Sequence, residues 1–98
     1  MGSGQDVYLL IPTPLRSLTG GESRVVVVGS TVGEALDALD SRFPGIGERL
    51  RDDAGNIRRF VNVFVNGQNV RDLNGAETHL AAGDEVGIIP AMAGGAIQ

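Results

Sequence analysis

A chain of 98 residues with 42% hydrophobic content is sized for one small domain, able to close a core without disulfides or metals. The formal charge is −4, and all eight basic residues are arginines, none in a run longer than Arg58-Arg59; this excludes the basic footprint of a nucleic-acid binder and suits docking on a basic protein surface. Cysteine is absent, which removes disulfides, thiolate catalysis and zinc–cysteine sites and points to a reducing, cytoplasmic location.

Met1-Gly2-Ser3-Gly4 reads as a flexible leader or a cloning remnant outside the fold. Tyr8-Leu9-Leu10-Ile11 is too short for a signal-peptide core and lacks a basic lead, and no apolar run approaches the roughly 18 residues of a membrane span, so no membrane partner is expected. Val7, Leu9 and Ile11 alternate at period two over Gln5 to Pro12, predicting a first strand that Pro12 and Pro14 end. Leu15 and Leu18 fall in a connecting loop that turns at Gly20-Gly21. The β-branched run Arg24-Val25-Val26-Val27-Val28 predicts a second strand, hairpin partner of the first.

Thr31 with Glu34 three residues on is a capping box, and it opens the stripe Val32, Ala35, Leu36, Leu39, Phe43 of an amphipathic helix. Pro44-Gly45 stops it. Asp37 and Asp40 fall on the opposite face and read as solvated surface charges. Residues 46 to 57 read as a polar connector. Arg59 to Val65 predicts a third strand closed by Asn66-Gly67, a strong turn dipeptide, with Asn69-Val70-Arg71 as a short return strand. Leu80 is expected to plug the core from a loop, and Glu85 to Pro90 forms the last strand.

Strand, strand, helix, strand, short strand, strand is an α+β order. It predicts the β-grasp architecture: a mixed sheet of four to five strands with one main helix packed across it, the last strand beside and parallel to the first. Residues 5–90 are the expected domain and residues 91–98 a flexible tail. His79 is a lone imidazole without a cluster of carboxylates, so no metal site is expected. No Ser-His-Asp constellation can be built from one histidine. Asp52-Asp53 and Asp84-Glu85 read as loop solvation, and an enzyme in its own right is not expected.

The tail is where the chemistry points. Gly94-Gly95 carries no Cβ, so such a segment threads a narrow channel and brings its backbone close to a partner. A carboxylate borne there could be delivered into another enzyme's active site. The alternative is an unstructured terminus with no role. On the third strand, alternation turns Val61, Val63 and Val65 toward the helix and Asn62, Phe60 and Phe64 outward; on the last, Val86 and Ile88 face in and Ile89 out. Phe60, Phe64 and Ile89 are therefore the candidate protein-interface patch; the alternatives are a loop that covers them or a strand phase slipped by one residue.

The capped helix, Arg59-Phe60-Val61-Asn62-Val63-Phe64-Val65-Asn66, Val70-Arg71, Gly83-Asp84-Glu85-Val86 and Ile89-Pro90-Ala91-Met92-Ala93-Gly94-Gly95 together resemble the ThiS/MoaD sulfur carriers, β-grasp relatives of ubiquitin. Ile11-Pro12-Thr13, Ile46-Gly47-Glu48-Arg49-Leu50 and Arg59-Phe60-Val61-Asn62 are similar to the CysO-type branch. The resemblance covers roughly residues 5 to 95. It implies that the Gly95 carboxylate is adenylated by an E1-like enzyme with ATP and converted to a thiocarboxylate, with Met92, Ala93 and Gly94 as the threaded tail. No cofactor would be bound by the carrier itself. The sulfur would pass to an accepting biosynthetic enzyme in cysteine, cofactor or secondary-metabolite synthesis.

Most carriers of this kind end at Gly-Gly, whereas Ala96-Ile97-Gln98 follows here, leaving a peptide bond where the free carboxylate is needed. Either a JAMM-type metalloprotease cuts between Gly95 and Ala96, or the extension is an engineered or inactivating ending. Two other classes stay open: a ubiquitin-like modifier joined to lysines through Gly95, and a β-grasp binding module with an inert tail. The complete lack of lysine has two readings as well: arginine-favouring codon usage, or avoidance of self-acylation by an activated terminus.

Overall fold

The computed structural model describes residues 4–90. Five strands form one mixed sheet: β1 (Gln5–Leu10), β2 (Arg24–Gly29), β3 (Val61–Val65), β4 (Gln68–Asn69) and β5 (Glu85–Pro90), in the order β2-β1-β5-β3-β4. β1 and β2 are an antiparallel hairpin, and β5 enters between β1 and β3, parallel to β1 and antiparallel to β3. Among the described residues the α-helices are α1 (Val32–Arg42) and the shorter α2 (Ile46–Leu50), with α1 packed against β2. This is the β-grasp arrangement that the element order predicts.

The inner face is sealed. Val7 and Leu9 from β1, Val25 and Val27 from β2, Val61, Val63 and Val65 from β3, and Val86 and Ile88 from β5 form one buried cluster with Val32, Ala35, Leu36 and Leu39 of α1. Each fully buried side chain of this kind contributes about 1.5–3 kcal/mol. The fit between β2 and α1 is tight at Gly29, where a Cβ would sit 2.9 Å from the Ala35 backbone nitrogen. Leu80, 5% exposed, plugs the core from its loop.

The start of α1 carries the expected cap, extended by one residue. Thr31 Oγ1 accepts the Glu34 N–H at 3.2 Å, and Glu34 reaches back to Ser30, accepting from its N–H at 2.8 Å and its hydroxyl at 2.6 Å. Donation from the Ser30 hydroxyl, then its N–H, holds the Glu34 carboxyl below its ordinary value, with smaller help from the Thr31 backbone and His79.

Several local expectations need correction. Residues 46 to 57 are not a plain polar connector: Ile46 and Leu50 of α2 are fully buried. Asp40 is not merely a solvated charge, because its Oδ1 accepts the N–H groups of Gly45 and Gly47 and so secures the turn into α2. Asp37 is exposed and ion-paired with Arg51. The third strand begins at Val61 rather than Arg59, and β1 stops at Leu10 rather than Pro12. The return strand is only Gln68–Asn69, and Val70–Asp72 turns into a 3-10 helix because the Asn69 side chain accepts the Arg71 N–H. Leu15 and Leu18 lie in a 3-10 helix over Thr13–Thr19.

Asn66-Gly67 makes the expected tight turn with both residues at positive φ, 50° and 88°. Asn66 also ties this turn to β5. Its Oδ1 accepts the Glu85 N–H at 3.0 Å and its Nδ2 donates to Asp84 Oδ1 at 3.0 Å. Asp84 in turn accepts the Ala81 N–H, so it builds the entry to β5 rather than simply solvating a loop. Asp52 likewise holds its own turn, accepting from Ala54 and Asn56.

Candidate functional site

The face of the sheet without helices is the candidate docking surface, and register decides what it presents. Leu10 of β1 and Phe64 of β3 both lie opposite Gly87 of β5, so the missing side chain at Gly87 leaves a furrow between them. A shallow depression of about 350 Å³ results, bounded by Leu10, Phe64, Asn66, Gly67, Glu85, Gly87 and Ile89. Ile89 stands beside Asn62 across the ladder and is 52% exposed. It also borders a second depression with Leu10, Ile11, Pro12 and Arg24, forming the ridge between the two.

Phe64 and Ile89 thus share one furrow. Phe60, 60% exposed, sits apart from them. It precedes β3 in a turn, so strand alternation does not orient it, and it borders a different depression with Asp52, Ile57, Arg58 and Arg59. Arg59 lies over its ring at 6.0 Å.

The sequence reading missed Leu10, Tyr8, Val26 and Val28 on this face. Leu10 and Tyr8 are in the opposite phase to Val7, Leu9 and Ile11, which is the signal that finds them. β2 offers no such signal, because four consecutive valines hide the alternation; only packing turns Val26 and Val28 outward. Arg24 bridges this side of the sheet, lying 4.2 Å from the Tyr8 ring centroid and 3.7 Å from Glu85.

β5 is the strand that the tail follows. Its last residue, Pro90, pairs with Val61 at the start of β3. Met92, Ala93, Gly94, Gly95 and Ala96 lie outside the described residues, as do residues 1–3 of the leader. His79 is exposed and forms a backbone bridge with Thr31. Among the described residues no group of three or more His, Cys, Asp or Glu side chains is placed to hold a metal, and no helix is long and apolar enough to cross a membrane.

A five-stranded mixed sheet grasping one main helix, with an apolar outer face and a tail leaving the central β5, defines a ubiquitin-like β-grasp protein. The ThiS family profile matches residues 9–95, and the chain belongs to the ThiS family. It is 45% identical over 92 residues to the sulfur carrier protein CysO of Mycobacterium tuberculosis, covering 92% of this chain and 99% of that protein. It is also 41% identical over 66 residues to small archaeal modifier protein 3 of Haloferax volcanii, covering 67% of this chain and 71% of that one. Among solved structures, a chain of the Amycolatopsis orientalis BexX/CysO complex superposes with a TM-score of 0.86 at 44% identity, covering 90% of this chain and 98% of that chain.

Proposed function

We propose that this chain is a sulfur carrier protein whose reactive group is the Gly95 carboxylate, exposed by removal of Ala96-Ile97-Gln98. The observation that carries the reading is the placement of Gly94-Gly95: the family match ends at residue 95, five residues beyond Pro90 at the end of β5. Five residues reach at most about 18 Å when extended, enough to carry a terminus into a partner's active site while the domain docks outside.

The chemistry belongs to the partners. A JAMM-type metalloprotease hydrolyses the Gly95–Ala96 peptide bond and frees the carboxylate. An E1-like enzyme attacks the α-phosphate of ATP with that carboxylate, forming the acyl adenylate and releasing pyrophosphate. Sulfide then displaces AMP, leaving a thiocarboxylate whose sulfur passes to an accepting biosynthetic enzyme in the cytoplasm. Adenylation matters because it replaces a poor leaving group with a good one. The carrier contributes a narrow tail and a docking face, not catalysis. Phe64 and Ile89 are the centre of that face, with Phe60 at its margin; the solved relative in complex with BexX supports a partner enzyme of this kind.

A second reading is a ubiquitin-like modifier joined to protein lysines through Gly95, favoured by the relationship to small archaeal modifier protein 3. Intact-mass spectrometry of the full chain and a version ended at Gly95 separates them. Each is incubated with ATP, sulfide, an E1-like enzyme and a JAMM-type protease, every component also omitted in turn. A carrier exchanges one oxygen for one sulfur, and the full chain does so only after losing its last three residues. Failure of the Gly95-ended chain to gain sulfur overturns the reading; adducts with proteins that survive reducing denaturation support the modifier instead.

A further inference from the structure

The sequence shows no basic run longer than Arg58-Arg59, but the fold brings a third arginine to that pair. Arg71, in the 3-10 turn after β4, donates through Nη2 to the Arg58 carbonyl at 2.9 Å and through Nη1 to Asn62 Oδ1 at 2.7 Å. Arg58 donates through Nε to the Glu48 carbonyl at 2.7 Å. Among the described residues Arg59 makes no such bond, and it lies over Phe60. All three arginines are exposed, and among the described residues none has a carboxylate within 4.0 Å; the ion pairs are Arg24–Glu85 and Arg51–Asp37. Asp52 borders the same depression, but its Oδ1 is occupied by the Ala54 and Asn56 N–H groups, and Asp72 follows Arg71 on the surface.

Position gives the cluster its meaning. Asn62, which holds Arg71, is paired with Ile89, and Val61, next to Phe60, is paired with Pro90. The three arginines therefore lie on the β3 side of Pro90, the residue that residues 91–95 follow in the chain. The adjoining depression is opposite in charge: Asp37, Asp40, Glu48, Asp52 and Asp53 border it with a single arginine, Arg51, and Asp52 lines both depressions. A chain of net charge −4 carries a concentrated positive edge at its tail exit.

We infer that Arg59, supported by Arg58 and Arg71, docks on an acidic rim around the opening through which a partner enzyme receives the tail. An acidic surface repels the molecule as a whole and attracts the edge where three arginines gather, so the encounter is oriented tail-first. The exposed Phe60 and Ile89 beside the arginines suit a protein partner, since arginine and aromatic side chains are enriched at such interfaces. The broad expectation of a basic partner surface is thereby reversed at the one place where the tail emerges.

The inference rests on the carrier reading and is tested with the chain ended at Gly95 and an E1-like adenylating enzyme, by thiocarboxylation kinetics. Arg59→Glu is compared with Arg49→Glu, which makes the same charge change on the exposed side of α2, and both folds are checked by thermal melting. Expected is a KM for the carrier about tenfold higher in R59E with kcat unchanged, and no change in R49E. Added salt raises the wild-type KM and leaves that of R59E nearly flat. Equal KM values for R59E and the wild type, or a wild-type KM indifferent to salt, overturn the arginine edge while leaving the carrier reading intact. A wild-type chain that gains no sulfur overturns both.

Discussion

On the helix side of the sheet, Val7, Leu9, Val25, Val27, Val63, Val86 and Ile88 are each less than 5% exposed. On the other side, Val26, Val28 and Ile89 stay 44–56% exposed, and Phe64 is only half-buried. The outer face mixes Tyr8, Leu10, Val26, Val28, Phe64 and Ile89 with Asp6, Arg24, Asn62 and Glu85, whereas the inner face is apolar almost throughout and is the one that is covered. Apolar side chains left open add little to folding, so the outer face is legible as a surface for contacts, whereas the inner face is legible as the source of stability.

Substitutions sharpen the contrast. Leu36→Ala opens a cavity at the centre of the sealed face and should cost about 2–5 kcal/mol, read from the denaturant midpoint. A cost under about 1 kcal/mol would mean that this face is not the sealed one. Gly29→Ala pushes a methyl group into the α1 backbone and should cost about 1–3 kcal/mol by the same measurement. Across the sheet, Ile89→Ser should change stability by no more than about 0.5 kcal/mol. It should nonetheless raise the carrier's KM for thiocarboxylation, splitting folding from docking in one residue.

The smallest effect belongs to Glu34. Its carboxyl is held below the ordinary value of 4.5, chiefly by the Ser30 hydroxyl, so its contribution is present above that value and is lost as pH falls through the folded-state pKa. Glu34→Gln should therefore lower the melting temperature slightly near neutral pH, with the difference closing as the pH drops below 4.5. A gap that persists in acid would assign the effect to shape rather than charge.

Much of this was readable in advance where periodicity and capping agree. The helix stripe, the Asn66-Gly67 turn and the inward phase of Val61, Val63 and Val65 all follow from local rules that the tertiary fold respects. What was hidden depends on contacts distant in sequence. Ile46 and Leu50 become core only because α2 folds back beneath α1, and a five-residue helix is too short to declare itself by period. Val26 and Val28 are turned outward by packing that four consecutive valines cannot signal. Arg71 reaches Arg58 across 13 residues, which no scan for basic runs detects. The Gly94-Gly95 tail is the reverse case: its meaning comes from composition and family, not from the arrangement of the domain.

The division of labour between the two faces is tested most directly by amide chemical-shift mapping of the Gly95-ended chain as an E1-like adenylating enzyme is titrated in. The expected perturbations fall on Leu10, Arg59, Phe64, Gly87, Ile89 and the residues that follow Pro90, leaving the exposed side of α1 around Asp37 and Ser41 unmoved. Perturbations centred on α1, with the outer sheet face silent, would contradict the account.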